Sequence, residues 1–170
     1  MFVETFKPYL GNINKAVDNY LRSLHFHSRG EPMLSQFQKA VQCLKLIVKP
    51  EDLVFENENL HVQSFNQIKI FPNVPIVLQE LKNTNKVLSI CTNRQLKSLN
   101  GILDTNQITH FFTQIVSCAD LGHEKPDPHC LVNLIKHFGF SKDNFIYVGD
   151  SDTDKLFAQN AGVDFLLAPL

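Results

Sequence analysis

The chain has no tryptophan, four cysteines with no Cys-x-x-Cys spacing, and a formal net charge of only −1 over 170 residues. Near-neutrality removes the electrostatic footprint that a nucleic-acid or anionic-membrane partner needs. The basic residues are scattered, and their densest run, Lys39 to Lys49, reads as a solvated helix face. No apolar run approaches the length of a membrane span, and no basic-then-apolar signal pattern opens the sequence, so a cytoplasmic location is expected. Of the four cysteines, Cys43, Cys91, Cys118 and Cys130, three lie in apolar segments. They read as small buried hydrophobes in a reducing compartment rather than zinc ligands or disulfides. No internal repeat and no low-complexity tract is found.

What is present can build a core: 44% of residues are hydrophobic, 14 of them Phe. The length suits one domain, or one domain with a small insert. From Asn12 to about Val48 the pattern is helical, with Ile13, Ala16, Val17, Tyr20, Leu21 and Leu24 at three- and four-residue spacing. After Gly30-Glu31-Pro32, Phe37, Ala40, Val41, Leu44 and Val48 repeat it. Pro50-Glu51-Asp52 can start a further short helix, whereas Glu56 to Asn66 is polar and carries no clear period. Beyond Ile68-Lys69-Ile70-Phe71-Pro72 helices and strands alternate. Helices are predicted over 74–81, 95–103, 129–138 and 154–161, and strands over 86–91, 114–117, 145–148 and 164–168. Such alternation predicts an α/β fold with a doubly wound parallel sheet, whose ligands sit outside the carboxyl ends of the strands.

Three positions with chemical character each follow a predicted strand. The first is Cys91-Thr92-Asn93, where a hydroxyl and the free N–H groups of a helix start can cradle an anion; alone, an ordinary helix cap is the preferred reading. The second is Gly122-His123-Glu124-Lys125-Pro126-Asp127-Pro128, in which two prolines stiffen the backbone around Lys125. A lysine at a helix start opposes the helix dipole and calls for an anionic partner. The third is Gly149-Asp150-Ser151-Asp152-Thr153-Asp154, directly after an apolar strand. By itself it fits an Asp-rich turn and an N-cap. With a Thr hydroxyl and a Lys ammonium, the pair Asp150 and Asp154 would make a site for phosphate bridged to Mg²⁺.

This combination resembles the haloacid dehalogenase-like phosphatase superfamily, in its phosphoglycolate phosphatase-like branch. Leu88-Ser89-Ile90-Cys91-Thr92-Asn93 is similar to its second motif, Lys125-Pro126-Asp127-Pro128 to its third, and Gly149-Asp150 with Asp154 to its fourth. Ile70-Phe71-Pro72-Asn73-Val74 and Ala158-Gln159-Asn160-Ala161-Gly162 are auxiliary matches. The resemblance spans roughly residues 68 to 168. It implies a Rossmann-like core over 68–170 and a small helical cap over 1–67, with substrate chosen by the cap. It also implies that Thr92, with Asn93, binds the phosphoryl group, that Lys125 neutralises its charge, and that Asp150 and Asp154 serve Mg²⁺. The implied ligand is a small phosphorylated metabolite or phosphate, with no nucleic-acid or membrane partner.

The family's first motif, Asp-x-Asp-x-Thr/Val, which supplies the nucleophile, has no counterpart among the aspartates at 18, 52, 104, 120, 127, 143, 150, 152, 154 and 164. Glu4 is a poor substitute, because Phe6 stands where a second acid is required. Phe2 to Asn14 is therefore expected to correspond to the helical segment after that motif, with the chain starting downstream of a central strand. Three closures of the resulting gap are open: Met1 to Phe6 as a strand, direct pairing of the flanking strands, or another chain by self-association. The expected activity is Mg²⁺-dependent phosphomonoester hydrolysis, weak or absent in the chain as written; the competing reading is a non-catalytic phosphate- or partner-binding module. A receiver-type phosphoacceptor is set aside, because there the acids precede Thr and Lys. His25, His27 and Arg29 could contact an anionic substrate, but a solvated helix end is the preferred reading.

Overall fold

Residues 1–28 and 30–168 are described by a computed structural model. The first part is helical throughout: α1 (Lys7–Leu10), α2 (Lys15–His27), α3 (Met33–Leu44) and α4 (Pro50–Ser64), with 3₁₀ turns at Glu4–Phe6 and Phe65–Gln67. Asn14 starts α2 by accepting the Val17 amide at 3.0 Å. The polar stretch after Pro50 belongs to one long helix. It starts on Pro50, with Glu51 and Asp52 in its first turn, and buries Leu53 and Asn57. Asn57 donates to the Thr5 hydroxyl at 3.0 Å in the interior. A helix that buries an amide rather than an apolar stripe carries little periodic signal, which is why the sequence pattern loses it.

The aromatic residues of the N-terminal turn close this part of the molecule. Phe2 stacks on Phe37 (centroids 4.9 Å, 9° between planes) and on His25 (4.7 Å, 13°), with Phe6 edge-on. With Val3, Leu21, Ala40 and Leu53 they form one buried cluster. Burial of each large side chain contributes about 1.5–3 kcal/mol.

The remainder alternates: α5 (Val74–Asn83), β1 (Ser89–Thr92), α6 (Leu96–Thr105), β2 (Gln114–Ser117), α7 (His129–Phe138), β3 (Ile146–Gly149), α8 (Asp152–Ala161) and β4 (Asp164–Leu167). Both faces of the β1/β2 pair are covered. Ile90 and Ile115 meet Leu78 of α5 and Leu99 and Leu103 of α6, while Cys91 and Val116 meet Leu131 and Leu134 of α7. This is the doubly wound α/β arrangement expected from the sequence. Among the described residues, however, the strands form two separate parallel pairs, β1 with β2 and β3 with β4.

The two pairs turn unpaired edges inward. Leu88 and Thr92 give their carbonyls to Thr113 and Cys118 of the β2 side, so by the alternation of a parallel ladder Ser89 and Cys91 point their backbone groups the other way. Gly149 accepts from Ala168, which likewise turns Ile146 and Val148 away from β4. Met1 to Phe6 does not fill the space, since Glu4–Phe6 is a helical turn in the aromatic cluster. Direct pairing of β1 with β3 does not occur either. One side chain bridges the pairs: the Tyr147 hydroxyl of β3 lies 2.9 Å from the Cys91 carbonyl oxygen of β1.

Candidate active site

The ends of β1 and β3, with the loop before α7, converge around Lys125. Its ammonium is almost fully buried and ion-paired with Asp154 at 2.6 Å. It also donates to the Tyr147 hydroxyl at 3.2 Å, so one of its three N–H donors is left for a ligand. The backbone of the same residue is clamped by Asn93. The Lys125 amide donates to Asn93 Oδ1 at 2.7 Å, and Asn93 Nδ2 returns to the Lys125 carbonyl at 3.3 Å. Asn93 Nδ2 also reaches the Gly30 carbonyl at 3.3 Å, joining the α2–α3 loop to the site. The structure thus brings the Thr92-Asn93 turn together with Lys125 and Asp154, which lie in separate stretches of the sequence.

Asp154 is held by every available contact. Oδ1 takes the lysine, and Oδ2 accepts the Ser151 hydroxyl at 2.7 Å and the amides of Asp150 and Ser151 at 3.2 Å. Ser151 Oγ accepts the Asp154 amide in return, a capping box that starts α8. Burial pushes the Asp154 carboxyl up, but the Lys125 ammonium and these hydrogen bonds outweigh it, so the group sits below the ordinary carboxylate value. Burial, followed by the Asp154 charge, pushes the Tyr147 phenol up and keeps it protonated. Gly149 makes the packing possible: a Cβ there would fall 2.4 Å from Asp154 Cβ.

Asp150 differs from Asp154. It is exposed, and among the described residues its carboxylate has no hydrogen-bond or ion-pair partner. The Thr92 hydroxyl oxygen accepts the Arg94 amide at 3.1 Å, while its own proton has no acceptor among the described residues. Thr92 is not the cap of α6. That task falls to Asp120, whose carboxylate accepts the Leu96 amide at 2.9 Å from the loop after β2. Among the described residues no group of three or more His, Cys, Asp or Glu side chains is arranged to hold a metal ion. The acidic loop is therefore not an all-protein metal cage.

Several members of the cluster escaped the sequence reading. Tyr147 reads as a strand aromatic, and its hydroxyl contacts emerge only when β3 lies beside β1. Ser151 does carry a local signal, the serine three residues before an acid at a helix start. Of the histidines at the end of α2, His25 bonds Gln36 at 2.8 Å and His27 bonds the Ser23 carbonyl at 2.7 Å, while Arg29 lies outside the described residues. Glu4 pairs with Lys7 in the N-terminal turn. Cys91, Cys118 and Cys130 are buried and unbridged; Cys43 is free and exposed. No helix is long and apolar enough to cross a membrane among the described residues.

Known proteins resemble the chain in sequence and in fold. The chain is 34% identical over 93 residues to a phosphoglycolate phosphatase of Vibrio cholerae, a match covering 55% of this chain and 41% of that enzyme. It thus spans less than half the length of that relative in the match. A second likeness, to the pyrophosphatase PpaX of Oceanobacillus iheyensis, is 27% identical over 164 residues and covers 95% of this chain and 71% of the relative. In fold it is similar to CbbY from Rhodobacter sphaeroides, solved in complex with phosphate. That likeness has a TM-score of 0.79 at 16% identity and covers 99% of this chain and 77% of the other. The family model for haloacid dehalogenase-like hydrolases matches residues 3–168, nearly the whole sequence, and the chain belongs to that family.

Proposed function

We propose that the chain binds the phosphoryl end of a small phosphorylated metabolite between Thr92 and Lys125, in a site built for Mg²⁺-dependent phosphomonoester hydrolysis. The observation that carries this reading is the buried Lys125 ammonium, fixed by Asp154 at 2.6 Å and by Asn93 through its backbone, with one donor still free. Phosphoryl transfer asks a protein mainly for positioning and positive charge. Lys125 supplies fixed charge, and the Thr92 proton is free to meet a phosphate oxygen. Asn93 holds the lysine loop in place rather than depending on contact with the ligand.

The donor set suits Mg²⁺. This ion binds through one or two carboxylates together with water and substrate phosphate, and needs no protein cage. Asp150 is the direct ligand in this reading. Asp154, whose oxygens are both engaged, positions Asp150 and Lys125. When bound, the ion would neutralise phosphate charge. The family's nucleophilic aspartate has no counterpart in this sequence, so turnover by this chain is proposed to be weak or absent. That favours a second reading, phosphate binding without hydrolysis.

The test measures the melting temperature with inorganic phosphate, with and without Mg²⁺, alongside phosphate release from p-nitrophenyl phosphate. A shift that needs Lys125, with little or no turnover, supports the site. Robust turnover lost in Asp150→Ala and kept in Glu4→Ala would overturn the inactive-chain reading. No shift and no turnover would sink the site itself.

A further inference from the structure

A cavity of about 390 Å³ opens among the N-terminal turn, α2, α3 and α4, within the range of about 300–1,000 Å³ typical of small-molecule sites. Its apolar wall includes Phe2, Phe26 and Met33, and His25, Asn57 and His61 bring polar groups to it. Thr92, Asn93, Lys125 and Asp154 do not line it, so it stands apart from the phosphate site. A neighbour outside the cavity fixes the role of each of these polar groups. The Thr5 hydroxyl donates to the Met1 carbonyl at 3.1 Å, so its oxygen accepts from Asn57 Nδ2 at 3.0 Å, and Asn57 Oδ1 is turned the other way. Asn57 is 3% exposed, and among the described residues its Oδ1 accepts no hydrogen bond. Gln36 Nε2 donates to the Glu31 carbonyl at 3.1 Å, which leaves Gln36 Oε1 to accept from His25 Nδ1 at 2.8 Å. In the neutral ring, His25 Nε2 is then a lone-pair acceptor. One Arg94 N–H meets His61 Nδ1 at 3.0 Å; arginine only donates, so His61 carries its proton on Nε2. Burial, then the Arg94 charge, push His61 down to about 4 and keep that ring neutral. Since Gln36 and Arg94 hold the Nδ1 edges from outside, it is the Nε2 edges of both rings that face the cavity.

We propose that this cavity is a second ligand site, built for a primary carboxamide carried on a small flat apolar body. It presents two acceptors, Asn57 Oδ1 and His25 Nε2, and one donor, His61 Nε2–H. A carboxamide supplies the complement, two N–H donors and one carbonyl acceptor. Phe2, Phe26 and Met33 form the wall for the flat body. A carboxylate offers acceptors alone and would leave Asn57 Oδ1 and His25 Nε2 facing lone pairs with no proton between them. The charged side chains at the border do not call for an anion either, because Arg22 is paired with Asp18 at 2.7 Å and Glu4 with Lys7. Sites that hydrogen-bond a ligand N–H discriminate strongly against analogues without one, since the buried groups are then left unpaired.

The experiment is an NMR titration of the ¹⁵N-labelled full chain at about pH 8, where ordinary imidazoles are neutral. The probes are benzamide and two analogues of the same shape, benzoate and acetophenone, neither of which carries an N–H. Benzamide is expected to bind about tenfold or more tightly than either. It should move the ring ¹⁵N signals of His25 and His61 and leave those of His110 and His137, which lie outside the cavity, in place. Asn57→Leu should shrink the benzamide advantage to within about threefold. The ranking in the unaltered chain decides the matter even if that variant fails to fold. A preference for benzoate would mean that Arg22 and the Met1 ammonium draw in an anion, and it overturns the assignment. Equal binding of the three, no binding of benzamide, or ring shifts confined to other histidines overturn it as well.

Discussion

At the scale of single residues, the Lys125–Asp154 pair dominates. The two side chains are 10% and 6% exposed, so removing one partner strands a buried charge. Lys125→Met is expected to cost about 3–5 kcal/mol in urea unfolding. Adding Asp154→Leu should restore part of that loss, because the stranded carboxylate disappears; full additivity of the two losses would show that the residues do not act as a pair. His61 gives a prediction in pH. Its folded value, about 4, lies below the unfolded value near 6.5, so protons bind the unfolded chain more readily between the two. Stability is unaffected by this group above about pH 6.5 and falls as the pH drops from there toward 4. Arg94, the Met1 ammonium and His25 all oppose its protonation, after burial itself. Thermal melts across pH 4–7 should show a decline that His61→Phe flattens.

At the scale of elements, close approach decides what a substitution does. Gly101 lies inside α6, where alanine ordinarily stabilises a helix by up to about 1 kcal/mol. A Cβ there would meet the ring of Phe65 at 2.8 Å, because the 3₁₀ turn after α4 rests on α6. Gly101→Ala should therefore destabilise by about 1–3 kcal/mol, and the same change in a Phe65→Ala background should be neutral or stabilising. Elements whose signals are local were legible in advance. β2 occupies Gln114–Ser117 and α7 occupies His129–Phe138 before Gly139, as their apolar runs and stop residue indicate. The strand through Cys91 is shorter than its apolar run, covering only Ser89–Thr92. α4 was illegible beyond its first turn because its inner face carries Asn57. The site was legible where each residue ends its own strand, as Thr92 does. Asp120 and Tyr147 were not, since their partners lie 24 and 56 residues away.

At the scale of the whole molecule, the split sheet is the governing feature. The β3/β4 pair packs Tyr147 against Phe157 of α8 on one face. On the other face Ile146, Val148 and Leu166 remain more than half exposed. The register sets Val148 beside Leu166, so these side chains form a contiguous apolar patch next to an unpaired edge. Unpaired strands with apolar neighbours are templates for pairing with another copy. The chain should accordingly self-associate as its concentration rises, and sedimentation velocity over a hundredfold range would detect it. Val148→Lys places a charge on the exposed face without altering the Lys125 cluster on the opposite one, and should shift the distribution toward monomer. A wild-type chain that stays monomeric throughout, or a Val148→Lys variant that associates as before, would mean that this face is not what joins the copies. Association should also leave phosphate binding intact, because Lys125, Asp154 and Tyr147 pack on the covered side of β3. A loss of phosphate affinity that tracks oligomer formation would instead place the open edge within the ligand's reach.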